Sequence, residues 1–564
     1  MTTVMPAAPE VHEDSRRWIT LAIVVVSAFI VVLDNTVLNV AIPTILREFH
    51  TTLPSLEWVI TGYALTFATL LIIGGRLGDV FGHRRVFVIG AALFGGGSFL
   101  ASISHSVGVM IVGEAIIEGI GASLMLPATL AILSTTFHGR ERATAFAAWG
   151  ATAGVAVAFG PVVGGFLTNF YSWRWAFRIN VVIAPLAIVG ALMFMQKGDR
   201  RTGRVKFDLP GAAMIAIGMF SLVFALSEGA VYGWLTPVKD FTVAGHVVWP
   251  ATRTISIIPL FFTLAAVTLV AFVFYERARE RRNGFALFEF AYLRFKTYRY
   301  GLLTGIVLSM GQLGITFVLP VFLQEGRHIS PWHNGLWVLP SGIFVIVGAQ
   351  LGGRLINRFG TIQVVRAGLV IYELGLLAML RVISLHITAL ELLPGLALYG
   401  LGIGFALAQL TNVVLSEIPP EGSGVASGAN TTVRQVGSAL GVAVIGTVLT
   451  VQTVNHAVQH VKSSALPNAV KAQAIAGIHN GGSGYAPPNG LGRATAGVIR
   501  VAVEQGVVHG TRVALVFALI VVAIGSLLSL LIPNSLGVGA IARPPTADGF
   551  EPLEPLDPDP ALLP

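Results

Sequence analysis

The sequence lacks cysteine entirely and carries little charge. Its 564 residues include no Cys, and Asp, Glu, Lys and Arg together make up 11% of the chain. The first absence excludes disulfide bonds and thiolate metal sites. The second argues against a large soluble protein, because ordinary globular domains carry about 25% charged residues. With 54% hydrophobic residues and a mean hydropathy of +0.77, the composition is that of a polytopic membrane protein.

Several functional signatures are absent as well. No Walker-type phosphate loop occurs, so ATP is not the expected energy source. No nucleophile constellation stands out and no histidines show close metal-ligand spacing, so we expect no enzyme activity, no metal and no cofactor. The stretch Met1–Ser15 is polar and acidic, unlike a cleavable signal peptide, which has a basic start and a short apolar core. The first apolar run is therefore expected to remain as a span.

Long apolar runs dominate the chain. A spanning helix needs roughly 20 mostly apolar residues, and we find about fourteen such runs between residues 18 and 533. The net charge is +8. In a membrane protein, an excess of Lys and Arg usually lies in the cytoplasmic loops, so it does not indicate nucleic-acid binding. With a cytoplasmic N-terminus, most Lys and Arg residues fall on the inner side, which predicts that both termini are cytoplasmic.

Two nine-residue stretches repeat. Gly74–Gly82 reads GGRLGDVFG and Gly352–Gly360 reads GGRLINRFG, and they follow the second and the tenth apolar runs. This repetition indicates internal duplication, the plan of transporters built from two related halves.

The repeat divides the chain into five parts. We predict a cytoplasmic tail at 1–17, a six-helix bundle at 18–196, two inserted helices with a linker at 197–298, a second six-helix bundle at 299–533 and a disordered tail at 534–564. A long extracytoplasmic loop, with two short helices, is predicted at 452–510 within the second bundle.

Four stretches carry a resemblance to a known family. They are LDNTVLNVAIP at Leu33–Pro43, GRLGDVFGHRR at Gly75–Arg85, GPVVGG at Gly160–Gly165 with WRWAFRIN at Trp173–Asn180, and GVASGANTTVRQVGSALG at Gly424–Gly441. In this order they resemble the fourteen-helix drug:proton antiporters of the major facilitator superfamily. The resemblance implies an all-α fold of two six-helix bundles plus two inserted helices.

Three acids lie within apolar runs. Asp34 stands in the first run, where a carboxylate costs on the order of 2.5 kcal/mol or more and usually serves ion or proton handling. Glu114 and Glu118 stand four apart in the fourth run, so they share one helix face. We expect these acids to bind protons or a cationic substrate. The alternatives are that Asp34 lies solvated near a helix end and that the two glutamates form a structural pair with Arg434.

The fourth run departs from the family pattern. The family usually has an Arg about where Glu114 stands and a Gln where Glu118 stands. The role of that Arg in proton coupling therefore does not transfer. Either Glu114 and Glu118 handle the proton, or another charge, such as Arg434 in the thirteenth run, fills the role.

Two glycine motifs have predicted mechanical roles. The first is a cytoplasmic turn that the resemblance implies to be a conformational gate, formed by Gly75, Gly78, Asp79, Gly82, Arg84 and Arg85. The second lies inside the fifth run, where Pro161 removes a backbone hydrogen bond and small residues permit close packing. Its residues, which in the family accompany antiporters, are Gly160, Pro161, Gly164 and Gly165. Static turn geometry and ordinary packing are the alternatives.

Several polar residues in the runs, including two of the three acids, are candidates for substrate contact. The resemblance implies that the first and fourth helices of each half line a central cavity, which would direct five side chains toward substrate: Asp34, Glu114, Gln312, Gln409 and Asn412. Acids in that cavity would favour cationic or polar-headed amphiphiles.

These observations lead to one main functional hypothesis. The chain is predicted to be a multi-pass protein of the bacterial inner membrane that exports small amphiphilic compounds in exchange for protons. Its expected partners are the substrate, protons and the bilayer, and it is expected to be a monomer. The alternatives are an exporter of one endogenous lipid, siderophore or metabolite, a proton symporter, and a membrane scaffold without flux.

Overall fold

The structure is a computed structural model that describes residues 16–137, 139–195, 208–243, 246–282, 288, 290–418, 423–487 and 491–533. The tails predicted at 1–17 and 534–564 lie outside these residues, except that Arg16 and Arg17 begin the first helix.

Six helices form the first half of the chain. They are α1 (Arg16–Phe49), α2 (Leu53–Phe81), α3 (His83–Ser102), α4 (Val107–Thr136), α5 (Gly139–Phe170) and α6 (Arg174–Phe194). Within α4, Ile111–Glu118 form a π-helical segment. Two further helices, α7 (Leu209–Tyr232) and α8 (Ile258–Arg281), follow and pack on each other. An antiparallel hairpin of β1 (Phe241–Val243) and β2 (His246–Trp249) lies between them.

The second half also has six long helices, with one shorter helix between the last two. They are α9 (Lys296–Gly326), α10 (Pro331–Phe359), α11 (Thr361–Val382), α12 (Ala389–Leu415), α13 (Ser423–Ser463), the shorter α14 (Asn468–Gly481) and α15 (Arg493–Leu530). Short 3₁₀ turns occur at Phe290–Arg294 and Gly482–Gly484.

Twelve helices of the described part are long and apolar enough to cross a membrane. They are all of the helices above except α2, α5 and the short α14. The excepted α2 and α5 are also long, with 29 and 32 residues. Length and apolar character therefore support the prediction of a polytopic all-α protein.

The region predicted as a loop at 452–510 is largely helical: helices are present where two short ones were expected, and the flanking helices extend further into the region than predicted. Helix α13 continues to Ser463 and α15 already begins at Arg493, with α14 between them. The three helices share a small apolar core that includes Val461, Ile478 and Ile499. Turn residues around Gly482 and Pro487 led the sequence reading toward a loop, whereas buried apolar side chains keep the flanking stretches helical.

The two halves pack their helices in the same pattern. In the first half α1 packs on α5, α3 packs on α6, and α4 packs on both α2 and α3. In the second half α9 packs on α13, α11 packs on α15, and α12 packs on both α10 and α11. The contacts between halves follow the same relation, because α5 packs on α10 and α2 packs on α13. The inserted α7 lies against α2 and α13 on one side of this interface.

The repeated turns are equivalent in space as well as in sequence. Gly82 separates α2 from α3 with φ 91°, and Gly360 separates α10 from α11 with φ 82°. The backbone N–H of Gly82 donates to Gly78 and that of Gly360 to Ile356. Positive φ values favour glycine, so the shared glycine has the same backbone function in both halves.

Candidate functional site

The three acids singled out in the sequence meet inside the first bundle. Asp34 of α1 and Glu114 and Glu118 of α4 are each buried, with exposed fractions of 4%, 1% and 0%. One carboxylate oxygen from each lies within 4.8 Å of the other two. We call these three residues the acid cluster. The burial of Asp34 removes the alternative of a solvated acid near a helix end.

Asn180 of α6 holds the acid cluster together. Its side-chain amide nitrogen donates to Asp34 Oδ1 at 2.7 Å and to Glu118 Oε1 at 3.1 Å. The same nitrogen lies 3.2 Å from the hydroxyl of Ser98 on α3. Four helices, α1, α3, α4 and α6, therefore contribute polar groups to one buried site.

Some oxygens at this site lack a hydrogen-bond partner in the described part of the chain. One carboxylate oxygen of each acid, and the amide oxygen of Asn180, have no hydrogen-bond partner among the described residues. If all three acids were ionised, each pair of charges would repel by on the order of 3 kcal/mol at the effective dielectric constant typical of protein sites. Bound protons relieve this repulsion, and a hard cation with oxygen ligands would also do so.

The π-helical segment of α4 carries both glutamates. Such segments are rare and often occur at functional sites. Glu114 and Glu118 remain on one face, as their spacing predicts, and that face points toward α1, α3 and α6 rather than to lipid. Glycine allows the close approach of the neighbouring helix: a Cβ at Gly97 of α3 would lie 2.9 Å from Cβ of Glu118.

A separate cleft lies between the halves. It is bounded mainly by α9, α10 and α12, with contributions from α1 and α5. Its polar lining comprises Thr36, Asn39, Gln312, Thr316, Ser341 and Tyr399. The remaining lining is apolar, and no charged side chain of the described residues belongs to it.

The glycines of α5 allow this helix to pack closely against α1, which carries Asp34 of the acid cluster, while α5 also contacts the second half. A Cβ at Gly164 would lie 2.6 Å from the carbonyl oxygen of Val37 on α1, and Gly160 meets Thr36 in the same way. On its other side α5 meets α10, where a Cβ at Gly335 would lie 3.0 Å from Cα of Val162. At these glycines, the backbone of α5 thus packs directly against α1, and the backbone of α10 in the opposite half packs directly against α5.

A sequence profile described as Major Facilitator Superfamily matches residues 24–442. The chain belongs to the Major Facilitator Superfamily. Among its relatives, the "Probable actinorhodin transporter" of Streptomyces coelicolor is 35% identical, over 77% of this chain and 72% of that protein. The "Tetracenomycin C resistance and export protein" of Streptomyces glaucescens is 30% identical, over 77% of this chain and 76% of that protein.

A solved structure supports the same fold. A bacterial homologue of the human lysosomal transporter Spinster, in an inward-facing and unoccupied conformation, superposes with a TM-score of 0.61. The alignment covers 92% of this chain and 98% of that one at 14% identity. The predicted major facilitator fold is therefore confirmed, and the chain is a multi-pass membrane protein.

Within this superfamily fold, the cleft and the acid cluster are separate places, and the predicted substrate contacts of the acids stay a prediction. Of the five side chains expected to face substrate, Gln312 lines the cleft, whereas Asp34, Glu114, Gln409 and Asn412 do not. Asn412 instead donates to Gln409 at 3.0 Å. Asp34 and Glu118 turn into the first bundle, where both accept a hydrogen bond from Asn180, and Glu114 lies beside them.

Arg434 is not part of the acid cluster either. It lies on α13, where its Cγ is 3.6 Å from the position that a Cβ on Gly305 of α9 would take. It forms no ion pair with Glu114 or Glu118 among the described residues. The alternative of a structural pair between Arg434 and the glutamates was therefore wrong.

The gating motif is described only in part. Gly75 packs toward Pro127 of α4, and a Cβ at Gly78 would lie 2.5 Å from Nδ1 of His83. Arg84 donates to the carbonyl oxygen of Leu192 at the end of α6, at 2.5 Å, whereas Arg85 is exposed. The side chain of Asp79 lies outside the described part, so its predicted role as a latch stays a prediction.

The sequence reading missed two buried polar residues. Asn180 stands in the apolar helix α6, within a motif that we used only for the family resemblance. Glu57 stands in the apolar run of α2 and is completely buried. Both are polar residues within apolar runs, which is the same sequence signal that marks Asp34.

Proposed function

We propose that this chain exports small amphiphilic compounds across the bacterial inner membrane in exchange for protons, by alternating access between its two bundles. The relatives named for transport, resistance and export support this direction of flux. The distribution of Lys and Arg supports cytoplasmic termini. Because the cleft lies within one chain, a monomer is sufficient for transport.

The acid cluster is the observation that carries the proton coupling. It is buried and rich in unpartnered oxygens, and it includes Asp34 on the same helix as the cleft residues Thr36 and Asn39. Proton binding or release at Asp34 changes the charge next to a helix that also contacts substrate. Thr36 is further linked to α5, because its hydroxyl lies 3.4 Å from the carbonyl oxygen of Ala156. A change in protonation can in this way bias the packing of α1, α5 and α10.

The cleft supports an amphiphilic substrate without a required positive charge. Its lining offers hydroxyl and amide groups among apolar side chains, the composition typical of sites for small organic ligands. The sequence reading favoured cationic compounds because it placed the acids in the cavity. With the acids inside the first bundle, we propose that uncharged amphiphiles are also substrates.

Transport-linked proton movement in proteoliposomes tests the proposal. With a proton gradient imposed, ethidium and the uncharged compound chloramphenicol should each dissipate the gradient with the wild-type protein. Asp34→Asn should abolish this response, and Glu391→Gln, which changes an exposed acid at the start of α12, should leave it unchanged. An undiminished response in Asp34→Asn would rule out the role of Asp34.

Sodium is a second candidate for the coupled ion. The carboxylate oxygens of the acid cluster lie close enough together to ligate one cation. Ethidium transport measured with choline replacing sodium separates the two ions, because proton-driven transport survives the exchange and sodium-driven transport does not.

A further inference from the structure

A second buried acid lies where α2, α7 and α13 meet. Glu57 of α2 has an exposed fraction of 0%. No hydrogen-bond donor among the described residues reaches either of its carboxylate oxygens. A bare carboxylate without a hydrogen-bonding or charged partner is strongly disfavoured in such a place, so Glu57 is expected to carry a proton in this conformation.

The position of Glu57 is at the interface between the two halves. Its carboxyl group faces Gly446 of α13, where an added Cβ would lie 2.9 Å from Cδ of Glu57. The ring of Phe317 on α9 closes the same place from another side, 3.2 Å from that Cβ position. Helices α2 and α13 belong to opposite halves, so any relative movement of the halves changes the surroundings of this carboxyl group.

The inserted helix α7 forms hydrogen bonds with both halves next to Glu57. Trp58, next to Glu57, donates from its indole nitrogen to Glu228 of α7 at 2.8 Å. From the other half, the hydroxyl of Thr447 donates to the carbonyl oxygen of Leu226 at 3.2 Å. Helix α7 therefore contacts both sides of the interface, directly beside Glu57.

Few charged groups act on Glu57. Among the described residues, the one that interacts with it electrostatically is Glu228 on α7, which is itself under the influence of Lys239. The facing residues of α13 and α9, Gly446 and Phe317, are uncharged. A proton on Glu57 is thus held by exclusion of water, which depends on α2, α7 and α13 staying together.

We propose that Glu57 is a second proton-binding site of the transport cycle, occupied while α2 and α13 are in contact and released when they separate. This inference rests on the proton coupling proposed above. It also gives the inserted helix a function: α7, through Glu228, lies against the interface at the point where the proton is bound and released.

Counting protons tests the inference. In proteoliposomes, the number of protons moved per ethidium should fall by one in Glu57→Gln, whose side chain imitates the protonated acid, and should stay unchanged in the exposed control Glu391→Gln. An unchanged ratio in Glu57→Gln, with proton-coupled transport intact in the wild type, would overturn the role of Glu57 alone. If the wild-type protein moves no protons with ethidium, the proposed function and this inference both fail.

A second measurement needs no variant. Dicyclohexylcarbodiimide modifies protonated carboxyl groups in apolar surroundings, and mass spectrometry locates the modified residue. Glu57 should be labelled in the resting protein and labelled several-fold less in alkaline buffer while ethidium is transported. Equal labelling of Glu57 under both conditions would show that it keeps its proton permanently and would overturn the inference.

Discussion

The side-chain amide of Asn180 donates to Oδ1 of Asp34 at 2.7 Å, which joins α6 to α1 at the centre of the first bundle. Because the same nitrogen also reaches Glu118, Asn180 is the shared donor of the acid cluster. The arrangement orients Asp34 toward α4 rather than toward the cleft between the halves.

Removing this donor should weaken both folding and coupling. In Asn180→Ala, buried carboxyl oxygens lose their hydrogen-bond donor, which typically costs about 1–3 kcal/mol. We expect a lower thermal transition of the detergent-solubilised protein and slower ethidium-driven proton flux. The conservative Asn180→Gln should retain part of both. A stability and a flux equal to the wild type in Asn180→Ala would contradict the assigned role.

The two glutamates should be partly redundant. Glu114→Gln and Glu118→Gln each leave two acids in the cluster, so each should slow proton-coupled transport by no more than roughly tenfold, about 1.4 kcal/mol of activation free energy. The double variant leaves Asp34 without a neighbouring acid and should lose more than the two single effects combined. Initial rates of gradient dissipation measure this. Strictly additive effects would mean that the glutamates do not act together with Asp34.

Some features of this arrangement could be predicted from the sequence because they depend only on local geometry. The spacing of Glu114 and Glu118 fixes them to one helix face, and the repeated GGRL stretches fix equivalent turns at Gly82 and Gly360. The direction in which Asp34 points was not accessible. Helix α1 is apolar around most of its circumference, so its rotation depends on contacts with α5, such as Thr36 against Gly160, and on Asn180.

The C-terminal end of α13 is a second feature that could not be predicted from the local sequence. The stretch beyond residue 452 is polar enough to look like a loop, and it stays helical because Ala457 and Val461 pack against Ile478 and Ile499. Those partners are distant in sequence, so no local pattern reveals the contact. The polytopic helical class followed from composition, whereas the ends of the helices depended on tertiary packing.

Close packing at Gly164 can be tested by adding one methyl group. In Gly164→Ala the new Cβ would lie 2.6 Å from the carbonyl oxygen of Val37, and overpacking of this kind costs about 1–3 kcal/mol. We expect a lower thermal transition and reduced export. Gly96→Ala on α3 is the matched control, because nothing lies within 4 Å of its Cβ position. Equal effects of the two substitutions would show that the contact with α1 is not what matters.

The paired turns should respond alike to substitution. Gly82→Ala and Gly360→Ala each force a side chain into positive φ, at 91° and 82°, with extended ψ values of 129° and 154°, which costs about 1–3 kcal/mol. Both should lower the thermal transition by a similar amount. Gly353→Ala on α10, where the Cβ position is open, should not. A neutral Gly360→Ala beside a destabilising Gly82→Ala would mean that the two turns are not mechanically equivalent.

The contact between the ends of α1 and α9 should have to open during transport. Arg47 pairs with Glu325 at 3.5 Å, and Gln324 donates to the carbonyl oxygen of Val40 at 2.8 Å, so the halves are joined here. Because the chain has no native cysteine, the double variant Arg47→Cys/Glu325→Cys can be linked with a short bifunctional thiol reagent without side reactions. Linking should stop ethidium export, whereas the unlinked double variant should retain it, because it removes both partners of the pair and leaves no unpaired charge at the buried Glu325 position. Continued export by fully linked protein would show that this end of the bundle stays closed throughout the cycle.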